Sequence, residues 1–252
     1  MPRYDFRTPR LFVEAPLAEG QVLRLERGQA NYLVNVLRLK PGAGVLVFNG
    51  REGEWRAAIA TAGKKTVDLE VTERTRAQTA PGDLHYLFAP LKHARLDYMV
   101  QKAVELGVSR LAPITTRHTQ AERINLARMR ANAIEAAEQC GILSIPEVAA
   151  PSSFDAFVAG WVASRLLVFC DEDAEVKDPA TALAAAREGG VIGKVPVSVI
   201  VGPEGGFANE ERDALLRLPN VVRLSLGPRI LRADTAAVSA LTLVQAVLGD
   251  WR

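Results

Sequence analysis

The sequence predicts two parts: a small β-barrel over residues 1–75, then an α/β domain with a mainly parallel sheet over residues 76–252. Three observations carry this reading. Short apolar runs separated by turn signals fill residues 1–80, the spacing of a small barrel. From residue 84 onward, apolar runs alternate with segments of helical periodicity, the arrangement that builds a parallel sheet. Finally, the apolar runs at 197–201 and 221–226 break into Gly-Pro-Glu-Gly-Gly-Phe at 202–207 and Gly-Pro-Arg-Ile-Leu-Arg-Ala-Asp-Thr at 227–235. Ligands of such sheets bind at the carboxyl ends of the strands.

In the first part, strands are expected at 11–13, 21–25, 45–48, 55–60 and 67–71, with a short helix at 29–37. Pro41-Gly42, Asn49-Gly50 and Gly63-Lys64-Lys65 supply the turns. The chain turns polar around 75–83, which places the boundary there. Beyond it, a strand at 84–89 precedes a helix marked by Leu96, Met99, Val100, Ala103, Val104 and Leu106, which Gly107 can terminate. A strand at 108–114, an Ala-rich helix at 121–139, a third strand at 165–170 and a helix at 179–187 follow. A polar helix start, Asn-Glu-Glu-Arg, stands at 209–212. The last helix, 236–248, is apolar on more than one face, as in a buried helix or an oligomer interface.

Of the 252 residues, 48% are hydrophobic and the net charge is +2, which suits a sizeable core and excludes a disordered chain. Residues 1–80 hold 13 Lys and Arg against 9 Asp and Glu, while residues 81–252 hold 18 against 20. That asymmetry gives only weak support to a nucleic-acid-facing first part; on this count alone ordinary solvated charge is the simpler reading. Cys140 and Cys170 form no CxxC pair and have no His cluster nearby, so no metal site is expected and both thiols read as core residues. His85, His93 and His118 have no motif partners and read as surface or core histidines. No charged-then-apolar leader and no membrane-length apolar stretch is present, so a cytoplasmic protein is expected.

The 202–207 loop fits neither a GxGxxG fingerprint nor a P-loop. On spacing alone, a tight turn capped by Asn209 serves as well as a ligand loop. Glu204 favours a ligand, because a carboxylate between Pro203 and Gly205 has no packing role. In the second loop Asp234 reads as a helix N-cap. Ile230 and Leu231, flanked by Arg229 and Arg232, need something apolar to cover them, and a flat ring such as adenine would serve.

Both loops resemble those of the RsmE-type rRNA methyltransferases of the SPOUT class, through residues 201–207 and 226–236. Further matches are Arg10-Leu-Phe-Val, Val36-Leu-Arg-Leu-Lys-Pro-Gly, Phe48-Asn-Gly, Gln101-Lys-Ala-Val-Glu-Leu-Gly-Val and Ala136-Ala-Glu-Gln-Cys-Gly. The chain differs from the family pattern at Asp234, where Glu is usual, and at Tyr32, Asn35 and Ile142. The resemblance implies an α/β fold with a SPOUT-like parallel sheet and a C-terminal trefoil knot, preceded by a PUA-like β-barrel. It also implies a homodimer and S-adenosyl-L-methionine as cofactor. The expected reaction is methylation of N3 of a uridine in 16S rRNA, free or in the small ribosomal subunit. The cofactor would lie among Gly202, Pro203, Glu204, Gly205 and Gly206, then Leu226, Gly227, Pro228, Ile230, Leu231, Arg232, Asp234, Thr235 and Ala236, and the third strand's end at Cys170 and Glu172.

Uracil N3 carries a weakly acidic proton, and a cation near the ring would favour its anion. Arg232 is the first candidate for this role and Arg10 the second. Residues 92–130 hold eight basic against three acidic residues. From these, Lys92, Arg95, Lys102 and Arg117 are candidates for phosphate contacts, joined by Arg10 and Arg38 from the barrel. The alternatives are a SPOUT methyltransferase acting on tRNA or a ribose hydroxyl, and a non-catalytic RNA-binding protein, which would have no need of Glu204 or of the Ile230-Leu231 pair.

Overall fold

A computed structural model describes residues 5–63, 66–120, 123–175, 178–188 and 196–251. Lys64 and Lys65 of the third expected turn, and the first two residues of the helix expected at 121–139, lie outside them. The chain forms two compact units, residues 1–80 with 137–145, and residues 81–136 with 146–252.

The first unit contains β1 (Arg10–Phe12), β2 (Val22–Arg24), α1 (Arg27–Asn31), a π-helical turn (Tyr32–Val36), β3 (Gly44–Phe48), β4 (Glu54–Ala62) and β5 (Val67–Arg76). The strands pair in the order β1-β3-β4-β5-β2, parallel between β1 and β3 and antiparallel elsewhere. Among the described residues β1 and β2 share no ladder, so the expected barrel is not closed by strand pairing. Instead, Gln29 of α1 donates from Nε2 to the Phe12 carbonyl at 2.7 Å. Period-two alternation places Val67, Leu69 and Val71 of β5 in a core with Leu11, Leu23, Leu33, Val45, Val47 and Ile59. The helix expected at 29–37 begins earlier and widens halfway, with Leu37 N–H donating to the Tyr32 carbonyl.

A buried ion pair sits in this unit. Arg10 Nε donates to Glu54 Oε2 at 2.6 Å, and both side chains are 3% exposed. The same guanidinium reaches the Glu138 carbonyl at 3.1 Å and the Asp5 carbonyl at 3.0 Å. Thr75 Oγ1 and Arg76 also donate to Glu54. Glu138 accepts from the Phe12 N–H at 2.8 Å, and Arg76 donates to the Gly141 carbonyl at 2.8 Å. These bonds explain why residues 137–145 belong to this unit although they are distant in sequence. Arg10, expected as a catalytic and RNA-contacting side chain, is enclosed here with its guanidinium on internal acceptors.

The second unit runs β6 (Leu84–Phe88), α2 (His93–Glu105), β7 (Arg110–Thr115), α3 (Leu126–Cys140, whose last four residues belong to the first unit), β8 (Glu147–Val148), β9 (Ser152–Ser153), α4 (Phe154–Ala159), β10 (Leu166–Cys170), α5 (Pro179–Glu188), β11 (Val197–Val201), α6 (Asn209–Arg217), β12 (Val221–Leu224) and α7 (Ala233–Val247). Its sheet is parallel throughout, in the order β12-β10-β11-β6-β7-β8, with β9 also on β7. All five residues of β11 are buried, which is why this strand, Ser198 apart, reads as a near-continuous apolar run and not as an alternation. Gly107 ends α2 as expected, at φ +78° with its N–H on the Val104 carbonyl.

Four local readings change. β8, β9 and α4 were not expected, and two-residue strands interrupted by Pro151 leave almost no periodic signal. Helix α7 starts at Ala233 with Arg232 at the cap, so Asp234 is in the first turn, where it favours the helix dipole, and is not the N-cap. Ala208, not Asn209, caps α6, its N–H donating to Glu211 Oε2 at 3.0 Å. Cys140 is exposed and not a core thiol. Among the described residues no helix is long and apolar enough to cross a membrane.

Replacing one member of a buried pair strands the other without its counter-charge, at about 3–5 kcal/mol. Because Arg76 still faces Glu54, Arg10→Ala is expected to lower the unfolding free energy, measured by urea denaturation and circular dichroism, by up to that amount, whereas exposed Arg24→Ala should leave it almost unchanged.

Candidate active site

A cavity of about 310 Å³ opens at the carboxyl ends of β10, β11 and β12. Strand order places it beside the point where the chain, having laid β7 and β8 on one side of β6, crosses to lay β10, β11 and β12 on the other. Its wall comes from three segments: 169–173 after β10, 201–207 after β11, and 224–231 after β12, with Ala233 and Ala236 of α7.

Glycine is required at two positions of the 202–207 loop. Gly206 has φ +70°, and a Cβ there would lie 3.1 Å from Glu172 Oε1. A Cβ at Gly202 would meet the Phe207 ring at 2.8 Å. Phe207 in turn packs edge-on against Phe169 at 5.4 Å between centroids, fixing the loop to the core. The Gly206 N–H donates to the Pro203 carbonyl at 2.9 Å and closes the turn.

Beneath the loops lies a feature that sequence reasoning missed. Asp171, 5% exposed, immediately follows β10. It accepts from Arg212 of α6, with Nε to Oδ1 at 3.1 Å, and from Arg223 of β12, with Nε to Oδ2 at 2.9 Å. Arg223 also donates to the Asp173 carbonyl at 2.8 Å. One carboxylate thus ties the end of β10 to α6 and β12. Three adjacent acidic residues and two isolated arginines give no spacing that would reveal it. The Asp171 carboxylate also holds the Arg212 guanidinium pKa above its ordinary value by accepting its hydrogen bond.

The structure brings Cys170, Glu172, Gly202, Pro203, Glu204, Gly206, Leu226, Gly227, Pro228, Ile230, Leu231 and Ala236 to the cavity wall. Gly205, Arg232, Asp234 and Thr235 do not line it: Gly205 faces His118, and the other three sit at the start of α7. Arg229, Asp171 and Arg212 line it in addition. Ile230 is 94% exposed and Leu231 half-buried, so the apolar pair does stand open beside the cavity. Glu204 meets Arg95 of α2 at 3.4 Å. His118 Nδ1 lies 3.2 Å from the Gly205 carbonyl and 3.1 Å from that of Gly206, a contact no motif announces.

The basic candidates differ in their engagement. Lys102 pairs with Glu105 at 2.7 Å and lies over the Tyr98 ring. Arg117 faces Glu210 at 3.6 Å, while its backbone N–H donates to Glu211. Lys92 is exposed at the cap of α2. Arg38 is exposed with φ +55°. Among the described residues no group of three or more His, Cys, Asp or Glu is gathered as a metal would require.

A parallel sheet with glycine loops at its carboxyl ends, and an acidic, partly apolar cavity between them, defines a small-molecule-binding α/β domain. Residues 78–245 match the model of the RNA methyltransferase domain, and residues 21–72 that of the RNA methyltransferase PUA domain. The chain belongs to the RNA methyltransferase domain family. It is 29% identical over 237 residues to the ribosomal RNA small subunit methyltransferase E of Rickettsia conorii, covering 94% of each chain. It is 30% identical over 246 residues to the protein of that name from Synechocystis sp., covering 95% of this chain and 78% of the other. Among solved structures it is similar to a putative methyltransferase from Legionella pneumophila in complex with the bound cofactor SAM. There the TM-score is 0.80 at 30% identity, covering 97% of this chain and 99% of the other.

Burial pushes the Cys170 thiol up to about 12, which disfavours the reactive thiolate at pH 8. Native protein at pH 8 is expected to release close to one equivalent of thionitrobenzoate from Ellman's reagent, from exposed Cys140, and two in denaturant. Rapid release of two from the native protein would contradict the raised pKa of Cys170, whose side chain is half-buried at the cavity wall.

Proposed function

We propose that the chain is an S-adenosyl-L-methionine-dependent methyltransferase acting on N3 of a uridine in small-subunit (16S) rRNA, free or in the assembled subunit. The observation that carries this reading is the convergence of three strand-end loops on one cavity, in a chain belonging to the RNA methyltransferase domain family. The names of its relatives supply the rRNA substrate.

The residues present fit the cofactor. Open Ile230 and Leu231 offer an apolar surface for the adenine ring. Glu172 and Glu204 offer acceptors for hydroxyl and ammonium groups, and glycines at 202 and 206 allow close backbone approach. S-adenosylmethionine supplies an electrophilic methyl group when bound. The chain's own work is to hold the uracil ring out of its stack, align N3 and stabilise its anion. Arg232, exposed at the cap of α7 and adjacent in sequence to cavity-lining Ala233, is the candidate for charge stabilisation.

The finer architecture belongs to the same proposal: a C-terminal trefoil knot, a homodimer using α7, and residues 1–75 as the PUA-like RNA-recognition part, with residues 76–252 as the methyltransferase part. Half-buried Leu243, Val247 and Leu248 of the α7 region support the dimer, which light scattering tests. The proposed rRNA substrate supports a cytoplasmic location.

Mass spectrometry of 16S rRNA nucleosides from a strain lacking the protein is expected to show loss of 3-methyluridine, and an unchanged nucleoside profile would overturn the proposal. Gly206→Val, strained at φ +70° and crowded by Glu172, is expected to weaken cofactor binding roughly tenfold or more in calorimetry. Arg232→Ala is expected to lower kcat about a hundredfold while leaving cofactor affinity nearly unchanged. RNA affinity is expected to fall with salt, and Lys92→Ala to reduce the log–log slope by about one. Lys102→Ala, already neutralised by Glu105, should change it less.

A further inference from the structure

We infer that His118 is a positioning residue of the cofactor loop, acting through the backbone of Gly205 and Gly206; the inference rests on the cofactor site proposed above. His118 lies in the turn after β7, where Thr116 N–H donates to Thr119 Oγ1 at 2.8 Å. That turn is anchored to the start of α6 through Arg117 N–H on Glu211 Oε1 at 2.8 Å. The imidazole is therefore presented to the 202–207 loop from a braced support. Its Nδ1 meets two carbonyl oxygens, at 3.2 and 3.1 Å. Carbonyls only accept, so Nδ1 carries the proton, in the neutral and in the charged ring alike.

These two carbonyls belong to consecutive peptide planes. In a trans peptide the N–H points opposite to its C=O. Holding the Gly205 carbonyl therefore aims the Gly206 N–H away from His118, where it meets the Pro203 carbonyl at 2.9 Å. Holding the Gly206 carbonyl aims the Phe207 N–H away as well. Glycine planes at 205 and 206 are the easiest in the loop to flip, since no Cβ restrains them. The ring also packs on Gly205: a Cβ there would lie 3.3 Å from His118 Cβ. His118 thus fixes the orientation of the two peptides beside the cavity without itself lining it.

Asn places its amide nitrogen where His places Nδ1, one bond beyond Cγ; Gln places its own one bond further out. His118→Ala is expected to raise the KM and the calorimetric Kd for S-adenosylmethionine about fivefold to tenfold, with kcat at saturating cofactor within about twofold of wild type. His118→Asn should restore affinity to within about twofold, and His118→Gln should not. In parallel, hydrogen–deuterium exchange of the ligand-free protein, read in peptides spanning 203–209, should quicken in the Ala and Gln variants and return toward wild type in Asn. Wild-type affinity and exchange in His118→Ala would overturn the inference, as would Asn behaving like Ala. If the wild type binds no S-adenosylmethionine, the cofactor assignment fails, and the exchange pattern alone decides whether His118 holds the loop.

Discussion

The second unit depends on one carboxylate. β10, β11 and β12 are separate segments, and nothing in a parallel ladder fixes how the loops beyond their ends are spaced. Asp171 supplies part of that constraint by accepting from Arg212 of α6 and Arg223 of β12. Burying a carboxylate costs several kcal/mol unless charge-assisted hydrogen bonds offset it. Here two guanidiniums do so, each partly exposed at 26% and 30%, which keeps their own desolvation small. The arrangement is directional, so it fixes spacing in a way that apolar packing does not.

The first unit uses the same physics for another end. Glu54 is enclosed with Arg10 and accepts from Thr75 and Arg76 as well. That network draws in residues 137–145 through the backbone carbonyls of Glu138 and Gly141. In both units a buried acid is met by arginines from distant parts of the chain, and in both the apolar core alone would leave those segments without a defined register.

Around the cavity, rigid and open features are divided between the loops. The 202–207 loop is held by Phe207 in the core, by Arg95 on Glu204 and by His118 on two carbonyls. The 226–231 loop instead leaves Ile230 almost fully in water. An exposed aliphatic beside an acidic pocket suits a ligand with an apolar face and polar edges.

The alternation of apolar runs with helical periodicity determined the parallel sheet, because a strand buried on both faces is mostly apolar, as in β11, where only Ser198 interrupts the run. Glycine and proline in the two strand-end loops determined where the cavity would open, since backbone conformation such as that of Gly206 is a local property of the residue. Those loops are candidates from the sequence, Cys170 and Glu172 from the family resemblance, and the fold brings them to one cavity wall. Short β8 and β9 were not legible in the sequence, because two residues carry no period. Nor were the roles of Arg10, Asp171 and His118. Their partners lie 44, 41 and 87 residues away, and the sequence of a charged or polar side chain says only that it needs a partner. Which partner it finds is decided when the sheet order and the burial of each strand end bring distant segments together.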